Sequence, residues 1–149
     1  MHFIRQAQQT DQSAIVTCVQ AAYAKYTARI GKKPAPCLAN YALLVAQEVV
    51  YVLANEEGIQ GVLVMMPQEK SMFVENVAVD PRFQGQGLGC FLMAFVEQQA
   101  PRHRLDEIRL YTNELMIENL HFYRQLGFDE VERRIEDGYR RVFLRKTLI

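Results

Sequence analysis

The chain lacks the patterns that mark metal-binding, disulfide-rich and membrane-spanning proteins. Its three cysteines, Cys18, Cys37 and Cys90, are too few and too widely spaced for a disulfide framework or a metal-ligand set. Because such cysteine usage is typical of a reducing compartment, we expect a cytoplasmic protein without a metal. No apolar run reaches the ~20 residues that a membrane-spanning helix requires, and the polar N-terminus does not resemble a signal peptide.

A surplus of charge of either sign is also absent. The 17 basic and 17 acidic residues cancel, which argues against nucleic acid as the main partner, because binding a polyanion usually needs a basic surplus or patch. Half of the 149 residues are apolar and 23% are charged, a composition that can bury a core. We therefore expect a single domain over residues 1–149.

Hydrophobic periodicity and turn residues predict the element order β-α-α-β-β-β-α-β-α-β-β. The predicted strands cover 3–7, 49–54, 59–66, 72–79, 108–112, 128–134 and 140–147. The predicted helices begin near Thr10-Asp11, at Leu38, at Gly87 and at Glu118, and Pro101 is expected to close the third helix. Three consecutive strands in the middle exclude a strict Rossmann order. We predict an α/β (α+β) protein with a mixed, mostly antiparallel sheet of six to seven strands and about four helices on both faces.

A glycine-rich segment lies between a predicted strand and a predicted helix. Gln84–Gly89 follows the Asp80-Pro81 stop of the fourth strand. Backbone N–H groups at a helix start are unpaired, and glycines let a diphosphate approach them. We interpret Val77–Cys90 as a phosphate-binding turn, although a tight turn without a ligand can have the same composition. A P-loop is excluded, because no Gly-Lys-Ser/Thr follows.

This segment resembles the central motif of the GNAT N-acetyltransferases, in which Arg or Gln precedes Gly-x-Gly/Ala. Val77–Gly89 carries the pattern, and Phe122–Phe128 is similar to the family's Phe-Tyr-x-x-x-Gly-Phe segment. The predicted strand order also matches the family's. The resemblance implies the GNAT fold and acetyl-CoA as cosubstrate. It also implies that the fourth and fifth strands splay apart to admit the pantetheine arm.

By this resemblance, N–H groups around Gln84–Cys90 bind the pyrophosphate, and the strand edge at Val77–Val79 pairs with the pantetheine arm. Asn113 and Asn119 could bond the pantetheine amides, although turns and helix caps also use asparagine. Many family members carry Asn seven residues before the tyrosine, where this chain has Met116, and Asn119 could take over part of that role. The implied cofactor-binding residues are Val77, Ala78, Val79, Gln84, Gly85, Gln86, Gly87, Leu88, Gly89, Cys90, Asn113, Asn119 and Tyr123.

Two residues are candidates for the proton transfers of acetyl transfer. Tyr123 is the candidate acid for the departing thiolate, because a phenol has a pKa of ~10 and many family members have tyrosine there. Glu75 is the candidate base, because burial in an apolar strand raises the pKa of a carboxyl. The alternatives are a core aromatic and a solvated strand carboxylate, with a water chain as the base. Under unbroken alternation Glu75 shares a face with Val77 and Val79, whereas a bulge would move it. A backbone N–H near Val77 or Ala78 would stabilise the oxyanion.

The acceptor is the least constrained part of the prediction. The family usually binds it between the first two helices and the hairpins, where this chain has Tyr23, Tyr26 and the Gly31–Pro36 loop. Cys90 is expected to be a small buried packing residue rather than a nucleophile, because no histidine is near it in sequence. The C-terminal hairpin, Val131–Leu148, could form a homodimer or cover the acceptor site.

We expect an N-acetyltransferase that acts on the primary amine of a small molecule. The alternatives are a protein N-terminal or lysine acetyltransferase, a non-catalytic acyl-CoA-binding module and a nucleotide-binding domain.

Overall fold

The computed structural model describes residues 1–148. Within them, seven strands and four α-helices follow the predicted order, with short 3₁₀ turns before α1, α2 and α3. The strands are β1 (Phe3–Gln6), β2 (Val50–Asn55), β3 (Gly58–Gln68), β4 (Ser71–Val79), β5 (Glu107–Asn113), β6 (Asp129–Glu136) and β7 (Tyr139–Thr147). The helices are α1 (Gln12–Ile30), α2 (Tyr41–Ala46), α3 (Leu88–Arg102) and α4 (Ile117–Gln125). The predicted mixed α/β fold is therefore confirmed.

The strands form one sheet that opens in the middle. Its order is β1-β2-β3-β4-β5-β7-β6. β4 and β5 pair in parallel, whereas the other neighbours pair antiparallel. The parallel ladder consists of three residue pairs and ends at Val74 and Leu110. Beyond that point β4 and β5 diverge and leave a wedge between them.

A β-bulge lies where this wedge opens. Val64 and Met65 are consecutive on β3, but their partners on β4 are Asn76 and Val74, so Glu75 has no partner in the ladder. An extra residue in one strand interrupts the alternation of side chains and bends the strand. The bulge therefore redirects the side chains of β4 at the edge of the wedge.

The bulge moves Glu75 to the face opposite the one predicted from unbroken alternation. Asn76, directly after the bulge, is hydrogen-bonded to Tyr41 of α2, and Glu75 lies close enough to Tyr41 to act on its ionisation. Val77 and Val79 instead pack on the cluster beneath α3 and α4. Glu75 therefore does not share a face with Val77 and Val79, because the alternation is broken by a bulge, which is the case that the sequence left open.

The sheet separates two buried clusters. The amphipathic face of α1 predicted from the sequence is buried against one side of the sheet, together with α2. The apolar face of α3 is buried against the other side, together with α4. Each fully buried Leu, Ile or Val side chain contributes about 1.5–3 kcal/mol relative to exposure, so these faces hold the helices on the sheet. The largest fully buried side chains include Ile15, Val19, Val50 and Val52 in the first cluster and Leu53, Leu63, Leu92, Met93, Ile108 and Leu144 in the second.

The start of α2 and the end of α3 differ from their predicted positions. α2 begins at Tyr41 rather than at Leu38, because the Asn40 side chain accepts a hydrogen bond from Leu43 N and caps the helix there. α3 ends one residue beyond Pro101 rather than before it. The φ that proline imposes is close to the helical value, which allows a proline in this last turn.

Candidate active site

The predicted phosphate-binding turn has the backbone that its glycines allow. Gly85 and Gly87 have φ of +81° and +78°, and a Cβ at either position would meet no atom within 4 Å. Their left-handed conformation, rather than lack of space, therefore favours glycine. Gly87 is the N-cap of α3, and Phe91 N donates to Gly87 O at 3.0 Å. The N–H groups of the first turn before Phe91 have no partner within the helix.

The two sequence motifs meet at Gly89. A Cβ at this position would lie 3.2 Å from Cζ of Phe122 on α4, which is tighter than an ordinary van der Waals contact. The start of α3 therefore packs on the aromatic ring of the second motif. This contact fixes α4 beside the glycine turn.

A donor-side cavity of about 280 Å³ lies between α1, the wedge edge of β4, the start of α3 and α4. Most of the residues predicted to bind the cofactor line it, whereas Gln86 and Asn113 are not in its lining. Gln86 is exposed in the turn, and Asn113 lines a second cavity. The predicted residues in the lining are Val77, Ala78, Val79, Gln84, Gly85, Gly87, Leu88, Gly89, Cys90, Asn119 and Tyr123.

The backbone of Val77 faces the wedge. Asp80 N donates to Gln60 O of β3 at 2.9 Å, and alternation directs the N–H of Ala78 toward β3 as well. The N–H and C=O of Val77 then point away from β3. In agreement, the Tyr23 hydroxyl, which donates to Asn76 Oδ1 at 2.7 Å, shares its proton with Val77 O at 3.1 Å. Of the two predicted oxyanion donors, Val77 is thus the one directed into the wedge.

Tyr123 separates the donor-side cavity from a second one. It is 6% exposed and packs edge-on against Phe122 and Phe128. Burial raises the pKa of its phenol above the ordinary value of 10, so the hydroxyl stays protonated near neutral pH. Tyr123 and Val77 line both cavities.

The second, acceptor-side cavity has a volume of about 180 Å³ and lies on the α1–α2 side of the wedge. Its walls are the bulged part of β4, the end of β5, the 34–36 segment and the start of β7. Glu75 is half-buried in this wall, and burial raises the pKa of its carboxyl. The polar side chains in the lining are Tyr23, Tyr41, Glu75, Asn76, Tyr111, Thr112, Asn113, Asn119, Tyr123, Tyr139 and Arg141.

A buried hydrogen-bond network connects the bulged strand to α1 and to the loop before α2. The Tyr23 hydroxyl donates to Asn76 Oδ1 at 2.7 Å, and Asn76 Nδ2 donates to the Tyr41 hydroxyl at 3.0 Å. The Tyr41 hydroxyl in turn donates to Pro36 O at 2.6 Å. The network thereby holds the Gly31–Pro36 loop, called the proline loop below, as one wall of the acceptor-side cavity.

The β6–β7 hairpin holds the same loop from the other side. The Tyr139 hydroxyl donates to Lys33 O at 2.7 Å, and Lys32 Nζ donates to Gly138 O at 2.9 Å. Lys32 also lies 4.2 Å from the centroid of the Tyr139 ring. Loop and hairpin are therefore joined beside the acceptor-side cavity.

Sequence reasoning did not find several residues of this cavity. Tyr41, Asn76, Tyr111 and Arg141 belong to no local motif and reach the cavity only through the bulge, the proline loop and the pairing of β5 with β7. Neither their residue types nor their spacing marks them as neighbours.

Three other predicted residues, Cys90, Asn113 and Asn119, have surroundings that bear on their predicted roles. Cys90 is exposed, so the expectation of a buried packing residue is wrong. Cys90 lies on the side of the first turn of α3 that lines the donor-side cavity, whereas Leu88 of the same turn is buried in the core. Asn113 Oδ1 accepts from Leu115 N at 2.9 Å, a turn interaction. Asn119 Nδ2 points to Sδ of Met116 at 3.5 Å.

A family model described as an acetyltransferase (GNAT) domain matches residues 46–130, from the end of α2 into β6. This match covers more than half of the chain. The protein belongs to the GNAT acetyltransferase family. No curated protein sequence matches it.

Solved structures support the GNAT fold over the whole chain. The PaiA N-acetyltransferase of Thermoplasma acidophilum, determined in complex with coenzyme A, has a TM-score of 0.81 at 13% identity, over 99% of both chains. Ard1 of Thermoplasma volcanium has a TM-score of 0.81 at 18% identity, over 99% of this chain and 98% of its own. The ribosomal-protein-S18-alanine N-acetyltransferase of Escherichia coli has a TM-score of 0.79 at 19% identity, over 99% of this chain and 94% of its own.

Acetyl-CoA is the acetyl donor of GNAT enzymes, and the lining of the donor-side cavity of this acetyltransferase has features suited to its pyrophosphate and pantetheine arm. The glycine turn and the first turn of α3 offer backbone N–H groups suited to a pyrophosphate. Past Val74, the edge of β4 that faces β5 has no strand partner among residues 1–148, as an added strand-like ligand requires. The predicted family and cosubstrate are thus confirmed.

Among residues 1–148, no group of three or more His, Cys, Asp or Glu side chains is placed to hold a metal ion. None of the helices in the same range is both long enough and apolar enough to span a membrane.

Proposed function

We propose that the protein transfers the acetyl group of acetyl-CoA directly to the primary amine of a small molecule. One observation carries this proposal: Tyr123 and Val77 line both cavities at the point where β4 and β5 diverge. A thioester held from the donor side and an amine held from the acceptor side would meet there. Such proximity supplies much of the acceleration of a bimolecular transfer.

Three groups of the chain have the properties that the reaction needs. Glu75 would take a proton from the ammonium form of the acceptor, and its raised pKa makes it a stronger base than an ordinary carboxylate. The Val77 N–H would stabilise the negative charge that develops on the carbonyl oxygen when the amine nitrogen attacks. As the carbon–sulfur bond breaks, Tyr123 would give its proton to the sulfur, and the nitrogen, which after the attack carries one proton more than an amide, would return a proton to the Tyr123 oxygen. The products are an acetamide and free CoA.

The loop and the hairpin beside the acceptor-side cavity favour a small acceptor over a polypeptide. The hydrogen bonds from Lys32 to Gly138 O and from Tyr139 to Lys33 O join these two segments. An extended peptide needs a continuous groove, which these bonds would interrupt. A small amine needs only the enclosed volume beside Glu75.

An amine panel tests the proposal. CoA release is followed with small primary amines, with a peptide that has a free N-terminus, and with an N-terminally blocked peptide that contains lysine. We expect the best small amine to exceed both peptides at least tenfold in kcat/KM. A preference for a peptide would contradict the small-molecule assignment. CoA binding without turnover of any acceptor would indicate a non-catalytic module.

Tyr123→Phe tests the acid. A positioned proton donor accelerates a reaction about 10²- to 10⁴-fold. We therefore expect kcat to fall at least 100-fold while the Kd for CoA stays unchanged. Tyr51→Phe is the matched control, because Tyr51 packs on Phe95 and lines neither cavity. Equal activity of the two variants would show that Tyr123 is only a packing residue.

A further inference from the structure

Arg141 is a buried cation for which the proposed chemistry has no use. It lies on β7 opposite Asn113 of β5, is 7% exposed, and lines the acceptor-side cavity. Its Cζ lies 4.2 Å from the centroid of the Tyr111 ring. A guanidinium stacked on an aromatic ring keeps its N–H donors free to bond in its own plane.

One edge of this guanidinium has no partner in the part of the chain that the structure describes. Nη1 is hydrogen-bonded to Glu136 and lies 3.5 Å from Asp137. Within residues 1–148, no group accepts a hydrogen bond from Nη2 or Nε of Arg141, and no fully buried side-chain N or O atom lacks a hydrogen-bond partner. These donors therefore reach the cavity space. Nη2 and Nε thus offer N–H donors to a ligand in this cavity that supplies hydrogen-bond acceptors.

The two carboxylates near Arg141 do not make the cavity wall anionic. Glu136 is shared with Arg134, whose Nη2 lies 3.1 Å from it. Asp137 is largely in solvent, with its side chain 79% exposed. Solvent and Arg134 therefore screen these charges, whereas the charge of Arg141 lies inside the cavity.

We infer that the acceptor amine carries a carboxylate, which Nη2 and Nε of Arg141 bind as a fork. The inference deepens the proposed function and rests on it. Two parallel N–H donors match the two oxygens of a carboxylate. Glu75 supplies the opposite charge in the same cavity, and both Glu75 and Arg141 act on the ionisation of the Tyr111 phenol. A zwitterionic amino-carboxylate would find a partner for each of its charged groups.

Matched acceptor pairs test the inference with the full chain. The pairs are L-alanine and ethylamine, 4-aminobutyrate and propylamine, L-phenylalanine and phenethylamine, and L-lysine and cadaverine. Phosphoethanolamine and ethanolamine provide a phosphate arm. We expect at least one carboxylated acceptor to exceed its plain amine tenfold or more in kcat/KM.

Arg141→Gln should raise the KM of that carboxylated acceptor roughly 10- to 100-fold, the range for hydrogen bonds to a charged group. The KM values of the matched plain amine and of acetyl-CoA should stay unchanged. Arg140→Gln is the matched control, because Arg140 is an exposed neighbour on β7 that pairs with Glu114 instead. It should leave all three KM values as they are.

Each other outcome overturns the inference in a distinguishable way. Equal kcat/KM within every pair would overturn the carboxylate and leave the small-molecule function standing. A preference confined to phosphoethanolamine would assign the fork to a phosphate instead. An equal loss for both members of a pair in Arg141→Gln would mean that Arg141 only holds the hairpin. If no amine releases CoA, the proposed function and the inference are both wrong.

Discussion

Replacing Tyr41 with phenylalanine tests how the bulged strand holds the wall of the acceptor-side cavity. The Tyr41 hydroxyl donates to Pro36 O at 2.6 Å and accepts from Asn76 Nδ2 at 3.0 Å. Asn76 is only 4% exposed, so water cannot easily replace the lost partner. The substitution thus removes one hydrogen bond and leaves a second, buried donor unpaired.

These two losses set the magnitude. An unpaired buried donor costs about 1–3 kcal/mol and the loss of an ordinary hydrogen bond about 1 kcal/mol, so the free energy of unfolding should fall by about 2–4 kcal/mol. For a chain of this size each kcal/mol corresponds to about 2–4 °C in Tm, so Tm should fall by roughly 5–15 °C. Thermal unfolding followed by circular dichroism gives the shift. Tyr51→Phe, on the other face of the sheet, should shift Tm by no more than about 1–2 °C.

The kinetic consequence of Tyr41→Phe should be confined to the acceptor. Tyr41 lines the acceptor-side cavity and not the donor-side cavity. Once the loop at Pro36 is released, the KM for the acceptor should rise, whereas the Kd for CoA from calorimetry should stay constant. A Tm shift equal to that of Tyr51→Phe would refute the reasoning about the network. A weakened affinity for CoA would refute the separation of the two cavities.

Three further predictions concern the base and the donor side. Burial raises the pKa of Glu75 above its usual 4.5, so kcat/KM should rise with pH through an apparent pKa above 4.5, and the free energy of unfolding should fall over the same pH range. Glu75→Gln should abolish both pH dependences. An unchanged pH profile of kcat/KM in this variant would contradict the base role. Gly87→Ala should cost about 1–2 kcal/mol of stability and raise the Kd for CoA. Gly31→Ala, also at positive φ with no atom near a Cβ, should cost about as much stability without changing that Kd. Iodoacetamide should alkylate exposed Cys90 before Cys18, whose pKa burial raises to about 12. Mass spectrometry should find that CoA slows the alkylation of Cys90. Equal rates of Cys90 alkylation with and without CoA would place CoA elsewhere.

Features that depend on neighbouring residues could be predicted from the sequence. The apolar spacing of α1 predicted its buried face, and the Asp137-Gly138 turn predicted the last hairpin, where both residues have positive φ. The glycine turn predicted the start of α3 to within one residue. In each case the residues that form the pattern also form the predicted element, so no information about contacts between distant segments was needed.

Features that depend on pairing between distant segments could not be predicted. The bulge at Glu75 depends on how β4 registers against β3, and no residue in β4 marks it. The exposure of Cys90 depends on the first turn of α3 facing a cavity, whereas its spacing alone is equally typical of a buried residue. Arg141 has no local signal at all, because its burial arises from the stacking on Tyr111 of another strand.

The difference between local features and features formed by distant segments also explains why family membership identifies the acetyl donor and leaves the acceptor amine open. The matched region, residues 46–130, contains the glycine turn, Glu75 and Tyr123. The network residue Tyr41 and the cation Arg141 both lie outside it, as do the proline loop and the hairpin turn that are joined across 106 residues of chain. Solved structures below 20% identity share the fold but do not determine these side chains. The choice of acceptor therefore has to be tested at Tyr41 and Arg141, where this chain's own contacts shape the cavity.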